Sequence, residues 1–180
     1  MFATLFLALS LNHIQNGHVD LSEQELSQYI NQHAAYNQQY GIPGMFDVDI
    51  KMNSMDVTLG RRQAEMADVA STGKYTLAMP NQSPVSGTIT ANFAAKPRYS
   101  IPQGAIYLDQ FSLVSYHITP ASVEQQFGPM VGYLVNGLEE RLKNQPAYTL
   151  NSDNQDQLWL KQHVTGFQLL PGKLRLQVKE

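Results

Sequence analysis

Hydrophobic and polar positions change period several times along the chain, and each change marks an element. Ser22-Glu23-Gln24-Glu25 reads as a capping box, the Ser22 hydroxyl and the Glu25 carboxylate each satisfying a free helix N–H. Leu21 and Leu26 stand at the staple positions on either side. Leu26, Ile30, His33 and Ala34 follow as a narrow apolar stripe. They predict a helix to about Tyr40, with Gly41 as its left-handed cap and Pro43 preventing continuation. From Phe46 the period becomes two. Phe46, Val48, Ile50 and Met52 alternate with polar residues, and Met55, Val57 and Leu59 continue in the opposite phase. One inserted residue near Asn53-Ser54 explains the slip and predicts a bulge or sharp bend.

The same alternation recurs at Val69, Gly73, Tyr75, Leu77 and Met79, and again from Val85 to Ala95. After a connection from Pro97 to Gln103, Ile106 and Leu108 give way to Phe111 and Leu113, a second phase slip. Long antiparallel strands with strong bends are the expectation. Thr119-Pro120 predicts a second helix, with Thr at the N-cap and Pro at the first helical position. Val123, Phe127, Met130, Val131, Leu134, Val135, Leu138 and Leu142 keep helical spacing, and Gly128-Pro129 predicts a kink. So wide an apolar face needs a broad partner, which the concave sheet supplies. A short strand from Ala147 to Leu150 and a hairpin turning at Pro171-Gly172 complete the chain. The fold class is α+β: a long, highly curved antiparallel sheet wrapped around a long helix in the C-terminal half, with an N-terminal helix.

Ahead of these elements, Phe2 to Leu11 is an uncharged apolar run, too short to span a bilayer, which takes about 20 residues. Its length suits the core of a secretory signal, and Ala8-Leu9-Ser10 resembles a cleavage site, although no Lys or Arg precedes it. Residues 1–20 are therefore expected to be leader and linker, and residues 21–180 a single domain. The chain has 180 residues, 43% of them hydrophobic and 15% charged, which excludes intrinsic disorder. Twelve basic against fifteen acidic residues leave too little positive charge for a nucleic-acid binder. The absence of cysteine excludes disulfides, thiolate metal sites and a cysteine nucleophile.

Catalytic patterns are weak. His13, His18, His33, His117 and His163 show no metal-binding spacing. Ser71-Thr72-Gly73-Lys74 matches S-x-x-K, but a strand pattern points Ser71 and Lys74 to opposite faces. Asp47 and Asp49 beside Lys51 read as a solvated strand face. No enzyme, cofactor or metal is expected. Two features of the sheet bear on binding. No charged residue occurs from Tyr75 to Ala95, and the inward positions include the small residues Gly73, Gly87, Ala91 and Ala95. Small inward residues admit either a closely packed element or a ligand.

Seven short motifs, taken in order, resemble the YceB-like lipoprotein family of Gram-negative bacteria, from roughly Leu21 to the C-terminus. They are Ser22-Glu23-Gln24-Glu25, Gly41-Ile42-Pro43-Gly44, Gly60-Arg61, Gly104-Ala105-Ile106-Tyr107, Thr119-Pro120, Asn144-Gln145-Pro146-Ala147-Tyr148 and Pro171-Gly172. The resemblance implies a fold related to the tubular lipid-binding (TULIP) superfamily, in which a curved sheet wraps a long helix. It implies no established reaction and a periplasmic location, with family members tethered by a lipidated cysteine after the signal peptide. Here Asn12-His13 stand about where that cysteine is expected. The protein is then released soluble, or held by its leader, or carries a change that removed the cysteine, and membrane association is left open.

Two functions follow as expectations. The first is a periplasmic, non-catalytic protein that binds a lipid, fatty acid or other long apolar ligand between sheet and helix. Its groove would be lined by Met52, Val57, Tyr75, Leu77, Ile89, Phe93, Phe111, Met130 and Leu134, with Arg61 and Arg62 as possible headgroup contacts. The plain alternative for each apolar residue is ordinary core. The second function is an interaction module with a solid core, docking on an envelope protein complex through an exposed apolar patch.

Overall fold

The computed structural model describes residues 17–33, 37–150, 152–153 and 155–179. The apolar run Phe2 to Leu11, expected as a signal-like leader, lies outside the described residues. Strands β1 (His18–Ser22), β2 (Asn37–Ile42), β3 (Phe46–Leu59), β4 (Ala67–Ala78), β5 (Val85–Ser100), β6 (Ala105–Thr119), β7 (Tyr148–Thr149), β8 (Val164–Leu170) and β9 (Lys173–Val178) alternate with three helices. The helices are α1 (Glu23–His33), α2 (Ala121–Asn144) and α3 (Gln155–His163). Strands β2 to β7 form one six-stranded antiparallel sheet in sequence order, and β1-β9-β8 form a separate three-stranded sheet.

The large sheet curls into a half-barrel because its long strands carry bulges where the apolar phase slips. Pairing of β3 with β4 shifts register between Met52 and Ser54. Between β5 and β6 it shifts twice, beside Phe93 and beside Ala95, where Gln110 takes a left-handed φ of 52°. A bulge raises local twist and bends the strand while keeping apolar residues on one face. The inner face therefore runs unbroken from Phe46 and Leu77 at one end to Leu59 and Ala67 at the other.

Each end of that face carries its own core. At the start of β3, Phe46, Val48, Tyr75, Leu77 and Ile118 pack with Val123 of α2, and the Phe46 and Phe127 rings meet edge to face at 6.4 Å. At the other end Val57, Leu59 and Ala67 pack with Val19, Leu150, Leu160 and the inward side of the small sheet. Leu26 and Ile30 of α1 seal this second core.

Helix α1 also closes an exposed edge. Strand β2 pairs only with the first half of β3, leaving the backbone of Met55, Val57 and Leu59 without a strand partner on that side. Three side chains spaced four residues apart on α1 take the place of a strand. Leu59 N donates to Glu23 Oε1 at 2.7 Å and Val57 N to Ser27 Oγ at 2.8 Å. Met55 N donates to Asn31 Oδ1 at 2.7 Å, and Asn31 Nδ2 returns a bond to Met55 O at 2.9 Å. The fit is geometric: four helical residues rise about 6 Å and two strand residues about 6.7 Å.

A junction at the start of α1 joins this ladder to the small sheet. The expected capping box is present, with Glu25 N donating to Ser22 Oγ and Ser22 N to Glu25 Oε2. Arg61 clasps Glu23 through two nitrogens, each 2.8 Å from a carboxylate oxygen. Gly172 N donates to Leu59 O at 2.9 Å. Gly60 is required here: its φ is +59°, and a Cβ would meet Leu169 and Pro171 at 3.3 Å.

Several expectations are corrected. Helix α1 ends at His33, and Asn37–Ile42 is a strand, because the free edge of β3 recruits it. Gly41 is therefore no helix cap; the left-handed residue is Gly44, in the β2–β3 turn. The expected linker ends earlier than Asp20, since β1 begins at His18 and Val19 is fully buried. Pro97 lies within β5, paired with Leu108, rather than in a connection. Helix α2 starts at Ala121 after a cis Thr119–Pro120 bond; the Thr119 hydroxyl bonds Thr88, and the Pro120 carbonyl receives Val123 N. Neither the small sheet as a separate layer nor α3 was expected.

Two outcomes follow. Ser27→Ala, which leaves the half-buried Val57 N–H unpaired, should lower unfolding free energy by about 1–2 kcal/mol in urea titration, with the m-value unchanged. Asp20 sits opposite Arg175 in the β1–β9 pair; the Arg175 fork, helped by Lys173, holds its carboxyl well below the usual carboxylate range against the opposing effect of burial. A depressed carboxyl contributes stability above the unfolded-chain value of about 4 and loses it as pH falls through the folded value. Asp20→Asn should thus be less stable than the parent at pH 7, with the gap closing progressively below about pH 4 in pH-dependent melts.

Candidate functional site

Between its two cores the inner face of the half-barrel is only partly covered. Helix α2 follows β6 and returns toward β7, which pairs with Ala105 and Ile106 at the start of β6, so it runs back beside β6 for about 36 Å. Its first turns are anchored: Val123, Phe127, Met130 and Val131 all pack into the core beside Phe46. Leu134 and Leu138 continue the same face of the helix, yet both stay half-exposed and belong to neither core. On the sheet, Met52, in the row of Gly73 and Ile89, and Phe93, Phe111 and Leu113, beside Val69 and Ala95, are likewise half-exposed and outside both cores. The Phe93 and Phe111 rings stack at 5.2 Å, making an aromatic floor. These half-exposed apolar residues, on the sheet and along α2, are the candidate lining of an apolar site.

No charged side chain occupies an inward position of β3, β4 or β5, and the polar groups there are spent on the fold. Ser71 Oγ donates to Ala91 O at 2.8 Å, while Lys74 points to the outer face, so the S-x-x-K pair is split as its strand pattern predicts. Tyr75 OH donates to Thr119 O at 3.0 Å, and burial pushes its phenol pKa up. His117 Nδ1 lies 2.8 Å from Glu124 Oε2, and His163 stacks on Trp159.

The nine apolar residues expected to line a groove thus divide. Val57 belongs to one core, Tyr75 and Leu77 to the other, and Ile89 and Met130 pack against the latter; protein atoms already fill their surroundings. Met52, Phe93, Phe111 and Leu134 are half-exposed and belong to neither core. Leu113 and Leu138 join them, and the alternation and helical spacing already placed both on the apolar faces. Of the small inward residues, Gly73 and Gly87 serve close chain approach. A Cβ at Gly87 would lie 1.8 Å from the Thr119 carbonyl oxygen, and one at Gly73 would lie 2.8 Å from Lys51 O. Arg61 and Arg62, expected as possible headgroup contacts, are both in ion pairs and largely exposed. Arg61 holds Glu23 as above, and Arg62 Nε donates to Asp68 at 2.9 Å.

A family profile described as "Protein of unknown function (DUF1439)" matches residues 21–173. The chain belongs to this family. Among relatives, the uncharacterized lipoprotein YceB of Escherichia coli K12 is 26% identical over 156 residues, covering 86% of this chain and 83% of that protein. The YceB lipoprotein of Salmonella typhimurium LT2 matches to the same extent. Among solved structures, a lipopolysaccharide binding protein superposes with 9% identity and a TM-score of 0.41. That alignment covers 89% of this chain and 40% of the other, so this chain spans two fifths of that molecule. The YceB-like resemblance read from the motifs is thereby established.

A groove and a core differ in what truncation costs. Leu77→Ala, at a position 3% exposed, should lose about 2–5 kcal/mol of unfolding free energy. Leu134→Ala, at a half-exposed position on α2, should lose less than about 1 kcal/mol beyond helix-propensity effects in the same denaturant assay.

Proposed function

We propose that this DUF1439 protein binds a lipid or other long apolar molecule in the groove between its curled sheet and α2, on the periplasmic side of the envelope, and acts by binding rather than catalysis. The observation that carries the reading is the set of half-exposed apolar side chains on the sheet and along α2 that neither core covers. A folded chain that leaves such surfaces half-covered gains by covering them with an apolar molecule. Burial is worth about 0.8 kcal/mol per methylene, so a chain of a dozen carbons supplies roughly 10 kcal/mol gross, before the cost of immobilising it. Flexible Met52 suits variable ligand shape. The uncharged inner face requires any charged headgroup to stay at the rim. The envelope location is supported by relatives that are lipoproteins.

Native mass spectrometry of the protein purified without detergent, followed by organic extraction, tests the proposal. A near-stoichiometric mass increment released into the organic phase as lipid or fatty acid is expected. A bare protein mass, unchanged after incubation with phospholipid and with fatty acid, contradicts it and moves the assignment to an interaction module.

A further inference from the structure

The end of the half-barrel beyond the Phe46 core is built from three connections that carry no charge at all. No Asp, Glu, Lys or Arg occurs from Gly41 to Phe46, from Tyr75 to Ala95 or from Ile118 to Val123. Antiparallel register brings the three together. Asp47 pairs with Ala78, Leu77 with Val85, and Thr88 with Thr119, so the β2–β3, β4–β5 and β6–α2 connections share one end. A cleft of about 480 Å³ between the first two is lined by Tyr40, Ile42, Met45, Met79 and Pro80, and at its inner edge by Asp47, whose carboxylate accepts from Gln39 Nε2 at 3.0 Å. Met45 is 61% exposed at the apex. The opposite end differs in kind. There the β3–β4 loop carries Arg61, Arg62 and Glu65, and the adjoining stretches of β5 and β6 carry Lys96, Arg98 and Asp109, all held in ion pairs.

We infer that the uncharged end is a tip that enters the interfacial region of a lipid bilayer. Its chemistry selects that partner. A solvated loop cluster of this size ordinarily carries charge, and omitting it from three connections together removes the cost of entering a headgroup layer. The turns expose proline, methionine and backbone-compatible polar residues, which tolerate the mixed polarity at that depth. Binding there is driven by apolar contact and needs no anionic lipid. The tip adjoins the core that anchors α2, against which Tyr40, Ile42 and Met79 pack beside Phe46. Bilayer contact would bring the protein beside a source of the proposed ligand, and in that respect the inference rests on the lipid-binding reading.

Because the chain contains no cysteine, Met45→Cys accepts a single environment-sensitive fluorophore, and Ala64→Cys in the charged β3–β4 loop provides the control. On neutral phosphatidylcholine vesicles the label at residue 45 should brighten and shift to the blue, equally at low salt and at about 0.5 M salt, while the label at residue 64 stays unchanged. Placing carboxylates in the exposed β4–β5 turn by Gln82→Asp with Ser83→Asp should weaken vesicle binding about tenfold without altering the melting temperature. A silent label at residue 45 overturns the inference. So does a response that requires phosphatidylglycerol and vanishes with salt, or one of equal size at residue 64. Native mass spectrometry separates the two readings. A loaded groove with a silent tip rejects the tip alone, and a docking tip with a groove that takes no lipid rejects the groove alone.

Discussion

Three polar side chains of α1 laid along half of a strand hold the arrangement together. Strand β3 is long enough to serve two ends of the molecule, and β2 covers only one of them. Without Glu23, Ser27 and Asn31 the remaining edge would present free N–H groups to solvent and to other chains. The same Glu23 is clasped by Arg61, and the turn at Gly172 bonds Leu59 beside it. Edge protection, helix start and attachment of the small sheet are thus one structure. It fixes one end of the large sheet's inner face.

The opposite end has a different origin. There Val123, Phe127 and Met130 of α2 fill the curl of the sheet beside Phe46 and Leu77. A sheet bent by bulges encloses more than one helix face can fill along its whole length. The chain closes both ends and leaves mid-sheet apolar residues half-covered. That division of labour explains why residues of the same type, a few positions apart on the same strand, are core in one place and candidate ligand contacts in the next.

The sequence carried much of the sheet and little of the site. Alternation located β3 to β6 and both phase slips, because a half-buried strand writes its inner face directly into the period. The capping box at Ser22 and the hairpin at Pro171-Gly172 were equally local. Strand β2 was missed because Asn37-Gln38-Gln39 has no strand pattern of its own; only the waiting edge of β3 makes it a strand. Helix α3 was missed because its apolar face is weak. Met52, Phe93, Phe111 and Leu134 stay half-exposed, and nothing in the sequence pattern separates them from the buried Val57, Tyr75 and Leu77. Burial depends on what packs above, and that is decided by the path of α2. The motifs that carry the family resemblance lie mostly at the Arg61 junction and at the pairing of β6 with β7, so they report scaffold rather than groove.

Methionine methyl groups offer the most direct test of the groove, since Met52 sits on the mid-sheet while Met66 is buried apart from it at the end of the β3–β4 loop. Methyl NMR during titration with a saturated fatty acid should shift the Met52 resonance saturably and leave Met66 in place. Unmoved Met52 at saturating fatty acid, or equal shifts at both residues, would show that the space between sheet and helix is not a binding site.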